Sequence, residues 1–109
     1  MTAPLRRGQL WEVTSPSGRP RALLVIESDG ALALYRHGAV CVLVDTSGTA
    51  PDTLLTVPIS QPIDGTVIAV DVLSYRMERI AGGKLLGIVP AEQMERVGQA
   101  LRLALDLSD

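Results

Sequence analysis

The pattern of apolar and polar positions along the chain predicts a β-rich fold that ends in a helix. Short apolar segments bounded by turn-forming residues are typical of strands. The segments that fit this description are Gln9–Thr14, Arg21–Glu27, Ala31–Tyr35, Val40–Val44, Leu54–Val57, Thr66–Leu73 and Lys84–Val89. Within the second of them, the apolar run Ala22–Ile26 is nearly continuous. Such a run predicts a strand that is buried on both faces.

Turn-forming residues suggest how these segments are connected. Asp29-Gly30 predicts a tight hairpin, because a type I′ turn needs positive φ at both central residues. The returning strand would then be Ala31–Tyr35. The polar stretch Asp45–Asp52 is expected to be a loop, and Tyr75–Ile80 to form a single helical turn before the glycines that follow.

The last part of the chain changes to a helical period. Its apolar positions Met94, Val97, Leu101, Ala104 and Leu105 recur at steps of mostly three and four residues. Pro90 suits the start of this helix. We therefore expect one mainly β domain over residues 1–109, with a strongly bent sheet or open barrel whose edge is covered by the C-terminal helix.

Composition refines this expectation. The 109 residues are 47% hydrophobic and 20% charged, which favours a packed core, and the absence of Phe predicts an aliphatic one. A net charge of −2 lacks the broad basic excess that is usual for nucleic-acid binding. Cys41 is the sole cysteine, so an internal disulfide is excluded, a structural zinc site is implausible, and the residue is expected to be a small buried hydrophobe.

Neither a signal peptide nor a stretch of about 18 apolar residues is visible, so a cytoplasmic protein without a membrane span is expected. His37, the sole histidine, lies in the predicted turn Arg36–Gly38 and is expected to be exposed, with no catalytic role assigned to it. Trp11 could stack on a base, although a first-strand aromatic residue is more often part of the core or of a dimer contact.

Four segments together resemble one protein family. Arg6–Val13 is similar to a basic-Gly-Asp-Val-Trp opening strand, and Gly18–Val25 to a Gly-x-Arg-Pro motif followed by a buried strand. Gly65–Asp71 resembles the strand that carries an Asp-Gln pair, and Met94–Leu107 lies where the family has its terminal helix. In this order and spacing, the segments resemble the MazF/PemK family of toxin endoribonucleases.

The resemblance implies an SH3-like, partly open barrel that forms a homodimer and cleaves single-stranded RNA without a metal or other cofactor. It also implies a type II toxin–antitoxin system, in which a cognate antitoxin wraps the toxin dimer and blocks the RNA groove.

The resemblance further implies where catalysis would occur. Arg19 matches the family arginine, and a guanidinium can hold two phosphate oxygens at once. Asp45 falls where the family has Thr or Ser, and Thr46 follows one residue later. Either could assist proton transfer, with Thr46 slightly favoured. Alternatively, both simply begin a loop through Asx-type hydrogen bonds.

RNA contacts are expected from the residues around this site. Asp71 occupies the position of the family glutamine, with Val70 at the neighbouring Asp position. Ser15 and Ser17 belong to a shortened version of the loop that binds RNA in the family, and Arg21 follows that loop.

These departures leave other functions open. The chain could be a toxin-fold dimer with an altered catalytic site that acts as a binding or regulatory module. A third possibility is a relative that poisons a protein target, as CcdB-type toxins act on gyrase, although nothing in Met94–Asp109 is specific for that activity.

Overall fold

A computed structural model describes residues 5–107, which form six strands and three helices. The elements, in chain order, are β1 Gln9–Thr14, β2 Pro20–Val25, α1 Asp29–Leu34, β3 Gly38–Asp45, β4 Thr56–Ile59, β5 Gly65–Arg76, α2 Met77–Ala81, β6 Lys84–Ile88 and α3 Ala91–Leu105. The predicted boundaries at residues 1 and 109 lie outside the described residues.

The six strands form one antiparallel sheet in the order β4-β5-β3-β2-β1-β6. The sheet curls into a partly open half-barrel, and α3 packs against β4 and β5 at one edge. The predicted fold class, mainly β with a C-terminal helix, is therefore confirmed. None of the helices within residues 5–107 is long and apolar enough to cross a membrane.

Strand β2 lies between two apolar clusters, as its continuous apolar run predicts. Leu24 belongs to a cluster that includes Leu10 and residues of α3, whereas Leu23 and Val25 belong to a second cluster with Trp11. All three β2 side chains are fully buried. Burial on both faces is confirmed, and it is possible because alternate side chains of one strand point to opposite sides of the curled sheet.

The predicted hairpin at Asp29-Gly30 is wrong, because the segment forms helix α1. The Ser28 hydroxyl caps this helix by accepting a hydrogen bond from the Ala31 backbone N–H at 3.2 Å. Asp29 occupies the first turn and Leu32 is buried in the second cluster. Alanine and leucine are strong helix formers, so a capped run of them outweighs the turn preference of the Asp-Gly pair.

Several element boundaries also differ from the prediction, those of β4 and α2 among them. Strand β4 begins at Thr56 rather than Leu54, because the Thr56 hydroxyl accepts a hydrogen bond from the Thr53 backbone N–H and closes a turn that leaves Leu54 82% exposed. Helix α2 begins at Met77 rather than Tyr75, because Tyr75 pairs with Ala39 in the sheet. In both places hydrogen bonding of the backbone outweighs the local apolar pattern.

Helix α3 begins after Pro90 as predicted, and it buries Met94, Val97, Ala100 and Leu101. Leu105, which was part of the predicted apolar face, is 52% exposed at the last turn. The period of the sequence therefore identifies the helix and most of its buried face, but the leucines of the final turn are exposed.

Trp11 and Cys41 both belong to the core, as predicted. The Trp11 side chain is buried and its Nε1 donates a hydrogen bond to Oε1 of Gln9 at 3.0 Å. Burial, reinforced by the negative charge of Glu27, raises the pKa of the Cys41 thiol to about 12. The cysteine is accordingly a thiol at neutral pH and fills space as a small hydrophobe.

Candidate active site

A groove of about 480 Å³ lies where the start of β2, the end of β3 and the middle of β5 meet. The polar side chains that line it include Arg19, Arg21, Asp45, Thr46 and Asp71. Sheet register explains why they converge: Ala22 pairs with Val44, and Asp45 pairs with Thr66. The start of β2 and the end of β3 therefore reach the same end of the sheet, next to β5.

An irregularity in β5 completes the groove. Val42 pairs with Val72 but Val44 pairs with Val67, so the single intervening residue of β3 faces a longer stretch of β5. The extra β5 residues have no partner in β3 and include Ile68, which pairs with Thr56 of β4, and Asp71; both line the groove. Bulges of this kind redirect side chains and are frequent beside functional sites.

The turn between β1 and β2 holds the backbone of Arg19. The Arg19 carbonyl accepts a hydrogen bond from the Ser15 N–H at 2.8 Å, and its own N–H donates to the Ser15 hydroxyl at 3.3 Å. Gly18 takes a φ of +87°, which glycine tolerates better than other residues. Within residues 5–107, the Arg19 guanidinium has no hydrogen bond or ion pair. Its backbone is fixed, and its cationic end is available to a ligand.

Asp45 uses both carboxylate oxygens to close the loop that follows β3. Oδ1 accepts hydrogen bonds from the Ser47 hydroxyl at 2.7 Å and from the Ser47 N–H at 3.2 Å, and Oδ2 accepts one from the Ala50 N–H at 3.1 Å. These bonds, with that of the Ser47 hydroxyl the strongest, hold the pKa of Asp45 below its usual value. The Asp45 side chain therefore forms the Asx-type hydrogen bonds that one of the sequence-based alternatives predicted.

Thr46 is exposed and lines the groove next to Asp45. Its hydroxyl has no hydrogen-bond partner among residues 5–107. Below it the chain must carry glycine at Gly65, because a Cβ there would lie 2.9 Å from Cγ1 of Val44 and 3.2 Å from the Asp45 carbonyl oxygen. The close approach of these backbones places the start of the loop directly over β5.

The structure thus brings together Arg19, Arg21, Asp45, Thr46 and Asp71, although their functional roles remain predictions. Ser15 and Ser17 do not line the groove; they stabilise the adjacent turn between β1 and β2. The Ser15 side chain is buried and its hydroxyl lies 2.8 Å from that of Ser17.

The groove residues that were not predicted as site residues include Ser47 and Ile68. Ser47 could have been found, because a serine two residues after an aspartate is a common Asx-turn pattern. Ile68 carries no comparable signal, since only the β5 bulge brings it to the groove.

Other chemistry-bearing residues lie outside the groove. His37 is exposed and packs edge-on against Tyr35, with the ring centroids 5.4 Å apart. In the part of the chain that the structure describes, no group of three or more His, Cys, Asp or Glu side chains is arranged to hold a metal ion.

Solved structures with the same fold include an endoribonuclease in complex with its cognate antitoxin from a mycobacterial species. It is 23% identical, with a TM-score of 0.84, and the match covers 96% of this chain and 98% of that one. MazE-MazF from Deinococcus radiodurans is 18% identical, with a TM-score of 0.79 over 97% of this chain and 99% of that one. The Mycobacterium tuberculosis toxin MazF-mt6 is 14% identical, with a TM-score of 0.72 over 92% of this chain and 99% of that one.

No protein-family model and no curated protein matches the sequence. The chain therefore has the fold of MazF toxins over nearly its whole length, while its sequence has diverged far from theirs. The resemblance inferred from the four sequence segments is confirmed at the level of the fold.

Proposed function

We propose that this chain is the toxin of a type II toxin–antitoxin system and cleaves single-stranded RNA without a metal ion. The observation that carries the proposal is the groove, in which the Arg19 guanidinium, without a partner within residues 5–107, lies with Thr46 and Asp45 on a MazF fold. The named activity of the mycobacterial neighbour supports the reaction class.

The proposed reaction uses the RNA itself as nucleophile. The ribose 2′ oxygen attacks the adjacent phosphorus, the bond from phosphorus to the 5′ oxygen of the next nucleotide breaks, and a cyclic phosphate remains. One group must accept the 2′-OH proton and another must protonate the leaving oxygen. Arg19 supplies positive charge to the phosphorane, whose charge is greatest in the transition state.

Thr46 and Asp45 are the two residues proposed to assist proton transfer. The Thr46 hydroxyl has no partner within residues 5–107, so it can approach the substrate. Asp45 is an acceptor by chemistry, but all its hydrogen bonds within the described part of the chain go to the loop after β3.

RNA on either side of the scissile phosphate is proposed to contact the remaining site residues. Arg21 and Asp71 line the same groove, where Arg21 can bind a phosphate and Asp71 can accept hydrogen bonds from a base. Ser15 and Ser17 shape the turn at its rim. The bases are read best in single strands, where their edges are free.

The proposal includes the partners of the toxin. A single toxin-like domain over residues 1–109 forms a homodimer in the cytoplasm and is inhibited by a cognate antitoxin. Support comes from two of the structural neighbours, which were crystallised with their antitoxins.

The proposal is tested with purified protein, single-stranded RNA of mixed sequence, neutral pH and EDTA. The wild type is expected to cleave RNA and, on induction, to arrest growth, whereas Arg19→Ala should do neither. Arg102→Ala, an exposed arginine on α3, is the matched control and should behave as wild type. Intact RNA with the wild type, together with equal toxicity of Arg19→Ala, would overturn the proposal.

A second candidate is a toxin-fold dimer that has lost catalysis and binds a partner. The observation that favours it is the pair of carboxylates, Asp45 and Asp71, in a groove that would have to accept phosphate. The negative charge of a carboxylate repels the negative charge of a phosphate. In that case neither the wild type nor Arg19→Ala cleaves RNA or arrests growth, yet the wild type still forms a complex with the product of a neighbouring antitoxin-like gene.

A further inference from the structure

The loop after β3 contains a carboxylate whose hydrogen bonds, within residues 5–107, are all made to that same loop. Asp45 accepts from Ser47 through Oδ1 and from Ala50 through Oδ2, so its two oxygens join the beginning and the end of one turn. A second layer reinforces this turn: the Ser47 hydroxyl lies 2.7 Å from that of Thr49 and accepts a hydrogen bond from the Thr49 N–H at 3.3 Å.

Thr46 lies within this turn and is exposed. It is the residue between Asp45 and Ser47, and its Cγ2 lies 3.8 Å from the place that a Cβ on Gly65 would occupy. The turn therefore restricts the Thr46 backbone from both sides along the chain, and the Thr46 side chain lies near Gly65 of β5. A backbone held in this way reduces the freedom that the Thr46 hydroxyl loses when a ligand binds.

From this geometry we infer that Asp45 is a positioning residue, which holds the Thr46 hydroxyl in the groove and does not itself exchange a proton with the substrate. The inference rests on the proposed function, and it assigns the proton-transfer role in the groove to Thr46. It also explains how a carboxylate is tolerated beside a phosphate, because its charge is turned toward backbone N–H groups.

The chemistry of a general base also favours Asp45 as the positioning residue and Thr46 as the proton-transfer residue. A base works best when its pKa lies near the working pH. The hydrogen bonds to Asp45 favour its ionised form and move its pKa in the opposite direction.

A double-mutant cycle on RNA cleavage tests the inference. Thr46→Ala removes the hydroxyl and should lower kcat by about 10²- to 10⁴-fold, because a proton-transfer group is lost. Asp45→Ala releases the turn and should lower kcat by about 10- to 100-fold, because a misplacement of about 1 Å can cost up to that much. KM should change less than kcat. The double variant should cleave no more slowly than Thr46→Ala alone, since Asp45 acts through Thr46.

Two further variants control for the loss of a charge and for an unrelated change in the same loop. Asp45→Asn keeps one carbonyl oxygen for Ser47 and should retain more activity than Asp45→Ala, with an unchanged shape of the pH–rate profile. Asp52→Ala removes an exposed carboxylate from the same loop and should cleave as wild type. Hydrogen exchange of the Ser47 and Ala50 amides should be slow in the wild type and in Asp52→Ala, and fast in Asp45→Ala.

The outcomes separate the two proposals. If the wild type cleaves RNA but the losses from Asp45→Ala and Thr46→Ala multiply, or if Asp45→Asn removes an acidic limb of the pH profile, Asp45 exchanges a proton and the inference is wrong. Unchanged amide exchange in Asp45→Ala would overturn it as well. A wild type without nuclease activity would overturn the proposed function, and this inference with it.

Discussion

The two walls of the groove are both charged, but they use their charges differently. On the arginine wall, formed by Arg19 and Arg21, the backbone is held by the β1–β2 turn and the Arg19 side chain has no partner within residues 5–107. On the carboxylate wall, formed by Asp45 and Asp71, the Asp45 side chain itself holds the backbone. A charged side chain is thus left without a partner in the described residues on one wall, and stabilises the local backbone on the other.

This difference has a consequence for mutations. A charge that is already satisfied inside the protein contributes to local structure, so its removal should move the backbone. A charge without a partner contributes little to stability, so its removal should affect ligand binding alone. Each wall can therefore be tested by measuring cleavage and unfolding on the same variants.

The largest effect is expected for Arg19→Ala. We expect kcat/KM for RNA cleavage to fall by about 10²- to 10³-fold, because a preorganised charge at the phosphorane is lost. The free energy of unfolding in urea should change by less than about 0.5 kcal/mol. A variant that lost stability and activity in proportion would show that the arginine wall also holds the fold.

Gly65→Ala should have the next largest effect and act through the carboxylate wall. The new Cβ would lie 2.9 Å from Cγ1 of Val44 and 3.2 Å from the Asp45 carbonyl oxygen, so the end of β3 must shift. We expect the free energy of unfolding to fall by about 1–3 kcal/mol, measured by urea denaturation, with slower cleavage.

Gly30→Ala is the matched control for that substitution. Its Cβ would have no heavy atom within 4 Å, and the residue lies inside helix α1. We expect the free energy of unfolding to rise by about 0.5–1 kcal/mol. A decrease would contradict the helix and favour the hairpin that the Asp-Gly pair suggests.

Ser15→Ala tests how the arginine wall is supported. The buried Ser15 hydroxyl bonds to Ser17 and to the Arg19 N–H, so its loss should lower the free energy of unfolding by about 1 kcal/mol. Ser17→Ala, at an exposed position of the same turn, should cost less. Equal losses in thermal or urea unfolding would mean that the buried hydroxyl has no special part in the turn.

The smallest effect is a pH dependence that belongs to the carboxylate wall. The Asp45 pKa is lower in the folded protein than its ordinary value of 3.8, so the folded state favours the ionised carboxylate. Its contribution to stability is therefore present above pH 3.8 and is lost as the pH falls through the lower folded value. The difference in unfolding free energy between wild type and Asp45→Asn should narrow over that range.

A difference that stays constant between pH 7 and pH 3 would contradict the carboxylate bonds to Ser47 and Ala50. Asp52→Asn serves as the control for acid effects on the rest of the protein, because its exposed side chain has no hydrogen bond within residues 5–107.

Much of the fold could be predicted because burial imposes a pattern on the chain. The Ala22–Ile26 run predicted a strand buried on both faces, and Leu23 and Leu24 do belong to different clusters. The three- and four-residue spacing from Met94 to Leu101 predicted the buried face of α3. The prediction failed at Asp29-Gly30, where a turn signal and a helix-forming run overlap and the Ser28 cap favours the helix.

The candidate site was predictable only in part, because its geometry depends on how separate segments of the chain fold together. Arg19 could be proposed from its resemblance to a known motif, and Thr46 and Asp45 from their place after a buried strand. Sequence reasoning left Asp45 with several roles, because its hydrogen bonds depend on how the loop up to Ala50 folds back. Ile68 was missed altogether, since it reaches the groove through an irregular pairing of β5.

The sequence by itself determined the mainly β architecture, the two-sided burial of β2 and the terminal helix, because each depends on apolar residues at a regular local spacing. Tertiary structure alone decided the order of the strands, the β5 bulge and the different hydrogen bonding of the arginine and carboxylate walls. Those features depend on contacts between residues far apart in the chain, such as Asp45 with Thr66 and Val42 with Val72, which local spacing does not encode.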